Sequence, residues 1–315
     1  MPVKSKILII SGIIFVICLA FIIYYGFFRG ELYLWELEVN GKPVYFLGSI
    51  HVFKPELYPL IDPKILDAFN SSDLVLFENI SYKYIPRRYW LEDGETLKDY
   101  IPEPCYSKVS DVLRINGYDI DEYSLYRPFD FLSFIYNLTA EMHGFSYYFN
   151  HGIDFYFMKL CVSRKIRTGN LEPAFYNNDL LEKHVKQDLA GFYISKVVRL
   201  YFEEGRTLGA EIEAGISDWL NGREFQPFLD FNQVFESDDD SEMKEKLLKA
   251  FKDVKYLRDL AMAESIERYS LSKSNKAIFA IAGCSHLAGE NNVIEILEKK
   301  GYRAKRIKKS LRFPF

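Results

Sequence analysis

Apolar positions along this chain follow two periods, and the changes of period mark its elements. An uncharged apolar stretch from Ile7 to Phe28 follows Lys4 and Lys6. As a helix its 22 residues would span about 33 Å, close to the hydrocarbon thickness of a bilayer. From Gly30 to Pro43 the pattern is a first strand with the turn Asn40-Gly41, leading into a second strand, Val44-Tyr45-Phe46-Leu47, that ends at Gly48. That is a hairpin signal. Asp62-Pro63 starts a helix running through Leu66 and Phe69, and Leu74 to Phe77 is a short apolar strand that delivers Glu78 at its end. Strand, helix, strand predicts a parallel unit. The segment from Thr96 to Leu220 reads as mostly helical, broken at Ile101-Pro102-Glu103-Pro104 and at Gly169-Asn170. A long helix then runs to about Tyr269, its buried side marked by Leu247, Phe251, Val254, Leu257, Leu260, Ala261 and Ile266. Ala277 to Ala282 is a buried strand, Glu290 to Lys300 a helix ended by Gly301, and Tyr302 to Ile307 a last strand.

These elements predict an α/β fold with a mainly parallel central sheet flanked by helices, behind one N-terminal transmembrane helix. Residues 1–30 form the anchor and residues 31–315 a single domain. A cleavable signal peptide would have a shorter apolar core and a small-residue exit, whereas Tyr24-Tyr25-Gly26-Phe27-Phe28 puts bulky aromatics at the interface. An uncleaved signal anchor is therefore expected. Two lysines before the span against Arg29 behind it place the N-terminus in the cytoplasm and the domain outside it, on the periplasmic or extracellular face. Cys18 lacks the small preceding residue of a lipoprotein site.

A net charge of −4 with interspersed signs gives no basic footprint, which argues against a nucleic-acid partner. The aromatic content of 17% reads as packing. Outside the span stand Cys105, Cys161 and Cys284, without metal-type spacing and odd in number, so no disulfide framework is implied. The acidic run from Glu236 to Glu242 reads as an exposed loop feeding the first turn of the long helix, with Asp240 or Ser241 as cap.

Candidate chemistry gathers at two matching tetrads. Gly48-Ser49-Ile50-His51 and Gly283-Cys284-Ser285-His286 each close an apolar strand, and they hold two of only five histidines. The glycine allows a sharp turn and the histidine lands just past the strand end, where ligand chemistry gathers in an α/β sheet. His151-Gly152-Ile153-Asp154 begins a helix whose stripe is Phe157, Met158 and Cys161. Asp154 is explained there by the helix dipole alone, and Glu172, after a short strand near Arg167, can be a surface acid. Arg258 falls four residues after Val254 and four before Met262, at the edge of an apolar stripe, where it either faces the site or snorkels. There is no His-Glu-x-x-His helix and no Gly-x-Ser-x-Gly elbow.

Leu34-Trp35-Glu36-Leu37, the strand into Gly48-Ser49-Ile50-His51, Ile65-Leu66-Asp67-Ala68-Phe69 and Ser72-Asp73-Leu74-Val75-Leu76-Phe77-Glu78 resemble the opening of the TraB/PrgY/GumN family, which includes the Tiki metalloproteases. Tyr256-Leu257-Arg258-Asp259, Ala261-Met262-Ala263, Gly283-Cys284-Ser285-His286-Leu287-Ala288-Gly289 and Gly301-Tyr302 resemble its close. The resemblance implies a metal site of His51, His286 and Glu78, with Glu78 and Arg258 as catalytic groups and Asp154 and Glu172 as further site residues. It implies a divalent transition metal (Mn, Co or Zn) that lowers the pKa of a bound water. The expected function is a membrane-anchored metal-dependent hydrolase acting on peptides or proteins outside the cytoplasm. Two alternatives stay open. One is a ligand-binding or pheromone-sequestering envelope protein without turnover. The other is an enzyme with Cys284 as nucleophile, although a thiol at an apolar strand end is usually inert.

Overall fold

The computed structural model describes residues 30–79, 90–142, 144–145, 151–200, 208–223 and 241–310. The predicted membrane span and residues 236–240 of the acidic run lie outside the described residues. Among the described residues no helix is long and apolar enough to cross a membrane.

Strands β1 (Glu31–Val39) and β2 (Lys42–Ser49) pair antiparallel, with Leu34 opposite Leu47 and Val39 opposite Lys42. The two turn residues, Asn40 at φ 52° and Gly41 at φ 75°, are both left-handed. That geometry matches the right-handed twist of the flanking strands and explains the Asn-Gly pair. Helix α1 (Pro63–Asn70) starts where the Asp62 carboxylate accepts the Lys64 N–H, and it buries Ile65, Ala68 and Phe69 before the chain enters β3 (Leu74–Phe77). A mainly helical stretch then contributes α2 (Leu97–Tyr100), α3 (Cys105–Ile115), α4 (Pro128–Met142), α5 (Ile153–Arg164), α6 (Tyr176–His184), α7 (Gln187–Val198) and α8 (Leu208–Asn221). Between α5 and α6 lies the short strand β4 (Arg167–Asn170). Helix α9 (Ser241–Leu271), strand β5 (Ile278–Gly283), helix α10 (Val293–Lys299) and strand β6 (Ala304–Lys308) complete the chain order.

The six strands form one sheet in the order β4-β3-β5-β2-β1-β6. The ladders of β4 with β3, β3 with β5 and β5 with β2 are parallel, while β1 runs antiparallel to both β2 and β6. The expected parallel sheet is thus a parallel block with an antiparallel edge, because the two-residue hairpin forces β1 to run against β2. β5 sits at the centre and every one of its residues is buried, as expected of a strand covered on both faces. Phe279 and Ile281 pack into the core shared with α1, α5, α7 and α8, whereas Ile278, Ala280 and Ala282 pack against α9 and α10.

One helix start and one helix face differ from the sequence reading. Helix α10 begins at Val293, three residues later than expected, because Gly289 and Asn291 take left-handed turn conformations and the Asn292 side chain caps the helix through the Glu295 N–H. On α9 the buried face carries Asp259, Met262 and Ala263, while Leu257, Leu260 and Ala261 are only half-buried. The face is turned toward the sheet by the polar groups at positions 258 and 259, not by the apolar stripe alone.

Phe69, Phe157 and Phe279 form a ring cluster with centroids 5.0 to 5.6 Å apart, and all three are fully buried. Phe157→Ala should cost about 3–5 kcal/mol of stability, read as a fall in the denaturant midpoint with an unchanged slope.

Asp130, in the first turn of α4, accepts a hydrogen bond from Asn178 of α6 at 3.2 Å beside the Arg127–Glu182 ion pair. Burial outweighs Arg127 and Asn178 and, with the charge of Glu182, pushes this carboxyl up to about 7. The folded state therefore favours the neutral acid. Its contribution to stability is complete below about pH 4 and is lost as the pH rises through 7. Asp130→Asn should melt like the wild type at pH 4 and progressively higher than it between pH 5 and 8.

Candidate active site

Three parallel strands end at one level. Ser49 of β2 pairs with Gly283 of β5, Phe77 of β3 pairs with Ile281, and the Glu78 N–H donates to the Ile281 carbonyl at 2.9 Å. β4 joins the same edge, where the Leu171 N–H donates to the Phe77 carbonyl at 2.7 Å. His51, Glu78, Glu172 and His286 leave these strand ends within three residues, His286 by way of a single 3-10 turn, Cys284–His286. Helix α5 delivers Asp154 in its first turn and α9 delivers Arg258 and Asp259. The candidates from both ends of the sequence and its middle are thereby brought into one cluster.

The cluster has two similar halves. His51 Nδ1 lies 2.9 Å from Asp154 Oδ2, and the Ser49 hydroxyl donates to Asp154 Oδ1 at 2.6 Å. His286 Nδ1 lies 2.5 Å from Asp259 Oδ1, and the Lys255 ammonium donates to Asp259 Oδ2 at 2.6 Å. Each carboxylate claims the Nδ1 side of its ring and turns the other nitrogen inward. His51 Nε2 and His286 Nε2 lie 4.0 and 3.7 Å from the Glu78 carboxylate, which stands between them. These spacings are too long for hydrogen bonds. Glycine keeps both approaches open: a Cβ at Gly152 would clash with the His51 carbonyl oxygen at 2.6 Å, and one at Gly283 would crowd His51 Nε2 at 3.0 Å.

Glu78 is held on both oxygens. Oε2 accepts the Gly283 N–H at 2.9 Å and Oε1 accepts Arg258 Nη2. The same guanidinium grips Glu172 through Nε at 2.7 Å and Nη2 at 3.0 Å. Glu172 is 2% exposed, so the surface-acid reading is corrected, and Arg258 faces the site instead of snorkelling. Asp154 sits at a helix start as expected, yet it is buried and bonded to His51 and Ser49, a role that the helix dipole does not supply.

The electrostatics follow from this packing. Burial opposes ionisation of Glu78, but the charge of Arg258 and the two histidines hold its carboxyl well below the usual range. At Glu172 burial outweighs Arg258 and the carboxyl is pushed up. Burial lowers His51, while the charge and hydrogen bond of Asp154 and the charge of Glu78 overcome it and raise the ring to about 9. At His286 burial and Arg258 lower the imidazole, and Glu78 and Asp259 raise it by more. Counted as ionised, four carboxylates face two permanent cations among the described residues, Arg258 and Lys255. Among those residues the balance of charge is completed by protonated imidazoles or by an added cation.

Both imidazoles have Nδ1 anchored by a carboxylate and Nε2 turned toward Glu78, the arrangement that metal-binding histidines adopt. Ligand atoms about 2.1 Å from a shared metal lie roughly 3.0–3.5 Å from one another, a few tenths of an ångström closer than the nitrogen-to-carboxylate spacings here. Among the described residues no group of three or more His, Cys, Asp or Glu is placed to hold a metal ion, and Glu78 is instead held by Arg258.

Asp259, Ser49 and Lys255 were not among the residues singled out from the sequence. Asp259 had a signal: with Met262, Ala263 and Ile266 it keeps the spacing i, i+3, i+4, i+7 of an apolar face. Its pairing four residues after Lys255 disguises it as an ordinary surface ion pair. Cys284 is buried against Gly48, and burial with the nearby charge of Asp154 pushes its thiol well up. Among the described residues no disulfide joins Cys105, Cys161 or Cys284.

The model of the TraB/PrgY/gumN family matches residues 33–306. The chain belongs to that family. Comparison with curated proteins and with solved structures gave no match. The match covers both tetrads and each of the polar residues described above, so the TraB/PrgY/gumN assignment and the strand-end cluster concern the same part of the chain.

Arg258→Met leaves Glu78 and Glu172 buried without their shared cation. It should destabilise the protein by about 3–5 kcal/mol, and adding Glu172→Gln should recover part of that loss in a chemical melt.

Proposed function

We propose that the protein is a membrane-anchored, metal-dependent hydrolase whose substrates are peptides or proteins outside the cytoplasm. One observation carries the reading: two histidines with carboxylate-anchored Nδ1 atoms turn their Nε2 atoms toward one half-buried glutamate. The peptide substrate rests on the likeness of the tetrads and Glu78 to the Tiki-type pattern, and the anchor on the apolar stretch from Ile7 to Phe28.

His51, His286 and Glu78 would hold the ion. A bound divalent metal supplies a water of lowered pKa and polarises the scissile carbonyl. With an ion in place of the Nε2 protons, Asp154 and Asp259 would hold the remaining proton of each ring on Nδ1 and keep Nε2 aimed at the ion. Ser49 and Lys255 fix those carboxylates in turn. Glu78, kept ionised by Arg258, serves as ligand or as acceptor of the proton that the attacking water gives up. Arg258, pinned by Glu172, places a guanidinium where negative charge on a reacting oxygen is stabilised.

Chelation of the purified full chain should abolish peptide hydrolysis, and Mn²⁺, Co²⁺ or Zn²⁺ should restore it. His51→Ala, His286→Ala and Glu78→Ala should each reduce turnover by orders of magnitude. Asp154→Asn and Asp259→Asn should weaken metal binding by about 10–100-fold, read by metal titration. Full activity of the chelated protein, or of either histidine variant, sinks this reading. Metal and peptide binding without cleavage under any metal favours the sequestering alternative.

A further inference from the structure

A cavity of about 530 Å³ opens on the same edge of the sheet as the histidine cluster. That edge is shared because β1 and β6 run antiparallel to each other, which puts Glu31 and Lys308 at the level of the β2 carboxyl end. The cavity and the candidate active site also share a frame. Three residues after His51, Lys54 forms one wall, and one face of α8 forms another. The Trp219 indole on α8 donates to the Gly48 carbonyl at 2.7 Å, which ties that helix to the first tetrad. Phe53 stands between, edge-on to Trp219 at 5.9 Å and stacked on Tyr58 at 5.6 Å.

The lining decides what fits. Leu57, Leu60, Phe145, Ile216 and Leu220 supply apolar surface. The ionisable groups at the rim are engaged by the protein itself. Lys54 pairs with Glu213 at 2.9 Å and lies over the Phe145 ring, Lys309 donates to the Leu220 carbonyl at 2.7 Å, and Asp62 accepts from the Ser310 N–H and hydroxyl at 2.8 and 2.7 Å. An ionic occupant would compete with these pairs for the same groups. An apolar occupant gains burial at no such cost. The volume is within the range of ligand sites and far beyond one structural water.

We propose that this cavity receives a large uncharged apolar side chain, of the Phe or Leu kind, from a peptide whose backbone runs past His51. The inference deepens the hydrolase reading, on which it rests for the peptide nature of the ligand, by adding the side chain that selects it.

The test uses the full chain in detergent with chelator present, so that binding is read without turnover. The probes are labelled, blocked alanine-glycine peptides with a single central Phe, Leu, Ala, Asp or Lys. Fluorescence anisotropy should show Phe and Leu peptides binding about ten- to a hundredfold tighter than the Ala peptide, and Asp and Lys peptides no tighter than Ala. Leu60→Asp, at an exposed rim position, and Ser217→Trp, which fills the cavity, should remove that gain and leave Ala-peptide affinity at the wild-type value. Equal affinity for all five peptides, or a Phe preference that survives in both variants, overturns the proposal. A preference lost in the variants with no cleavage after metal addition upholds the cavity and rejects the hydrolase. Cleavage that ignores the central residue does the reverse.

Discussion

A single guanidinium holds a buried and a half-buried carboxylate together where β3, β4 and α9 meet, and the site is arranged around that charge. Arg258 reaches Glu78 past the end of β3 and Glu172 past the end of β4, so one side chain clamps neighbouring strands at their carboxyl ends. Taking four acids out of water is affordable only if each has a fixed partner. Gly283 N–H, Ser49, Lys255 and the two imidazole Nδ1 atoms supply the rest of that compensation. The adjacent positions of Arg258 and Asp259 matter here. Successive residues on a helix point about 100° apart, so one turn of α9 serves Glu78 and Glu172 with one side chain and His286 with the next.

The sequence discloses what is written locally. The hairpin follows from Asn40-Gly41 between two strands, the burial of β5 from its unbroken apolar run, and the placement of His51 and His286 from glycines at strand ends. Glu78 is legible for the same reason, since it terminates an apolar strand after a capped helix. What stays hidden depends on partners far away in sequence. Glu172 looks like any acid after a short strand, because the helix that buries it arrives 86 positions later. Asp154 looks like a helix-dipole residue, because nothing nearby announces the ring of His51, 103 positions before it. Asp259 is concealed twice, by a lysine one turn away and by an arginine beside it that draws attention first.

The same division explains the sheet. A parallel core and an antiparallel β1 were readable from the strand–helix–strand unit and the Asn40-Gly41 hairpin, but the outermost strand was not, because β6 is half-exposed with little apolar pattern to say where it docks. Helix α8 is similar. Its amphipathic face marks it as a packed helix, while its bond from Trp219 to Gly48, which joins the cavity to the first tetrad, crosses 171 positions and leaves no local trace.

The central position of β5 also bears on the order in which the molecule comes into being. β5 lies between β2 and β3, so a growing chain that has emerged only through α9 has no strand to bridge His51 to Glu78. The bonds that define Glu78 span 180 and 205 positions, and contacts of such sequence separation form late because loop closure must precede them. The centre therefore arises in one closing step, when β5 inserts and carries Gly283 and His286 into place. Until then the partners of His51 and Glu78 on β5 are missing, and the cluster of two histidines around Glu78 does not exist in a chain still being made.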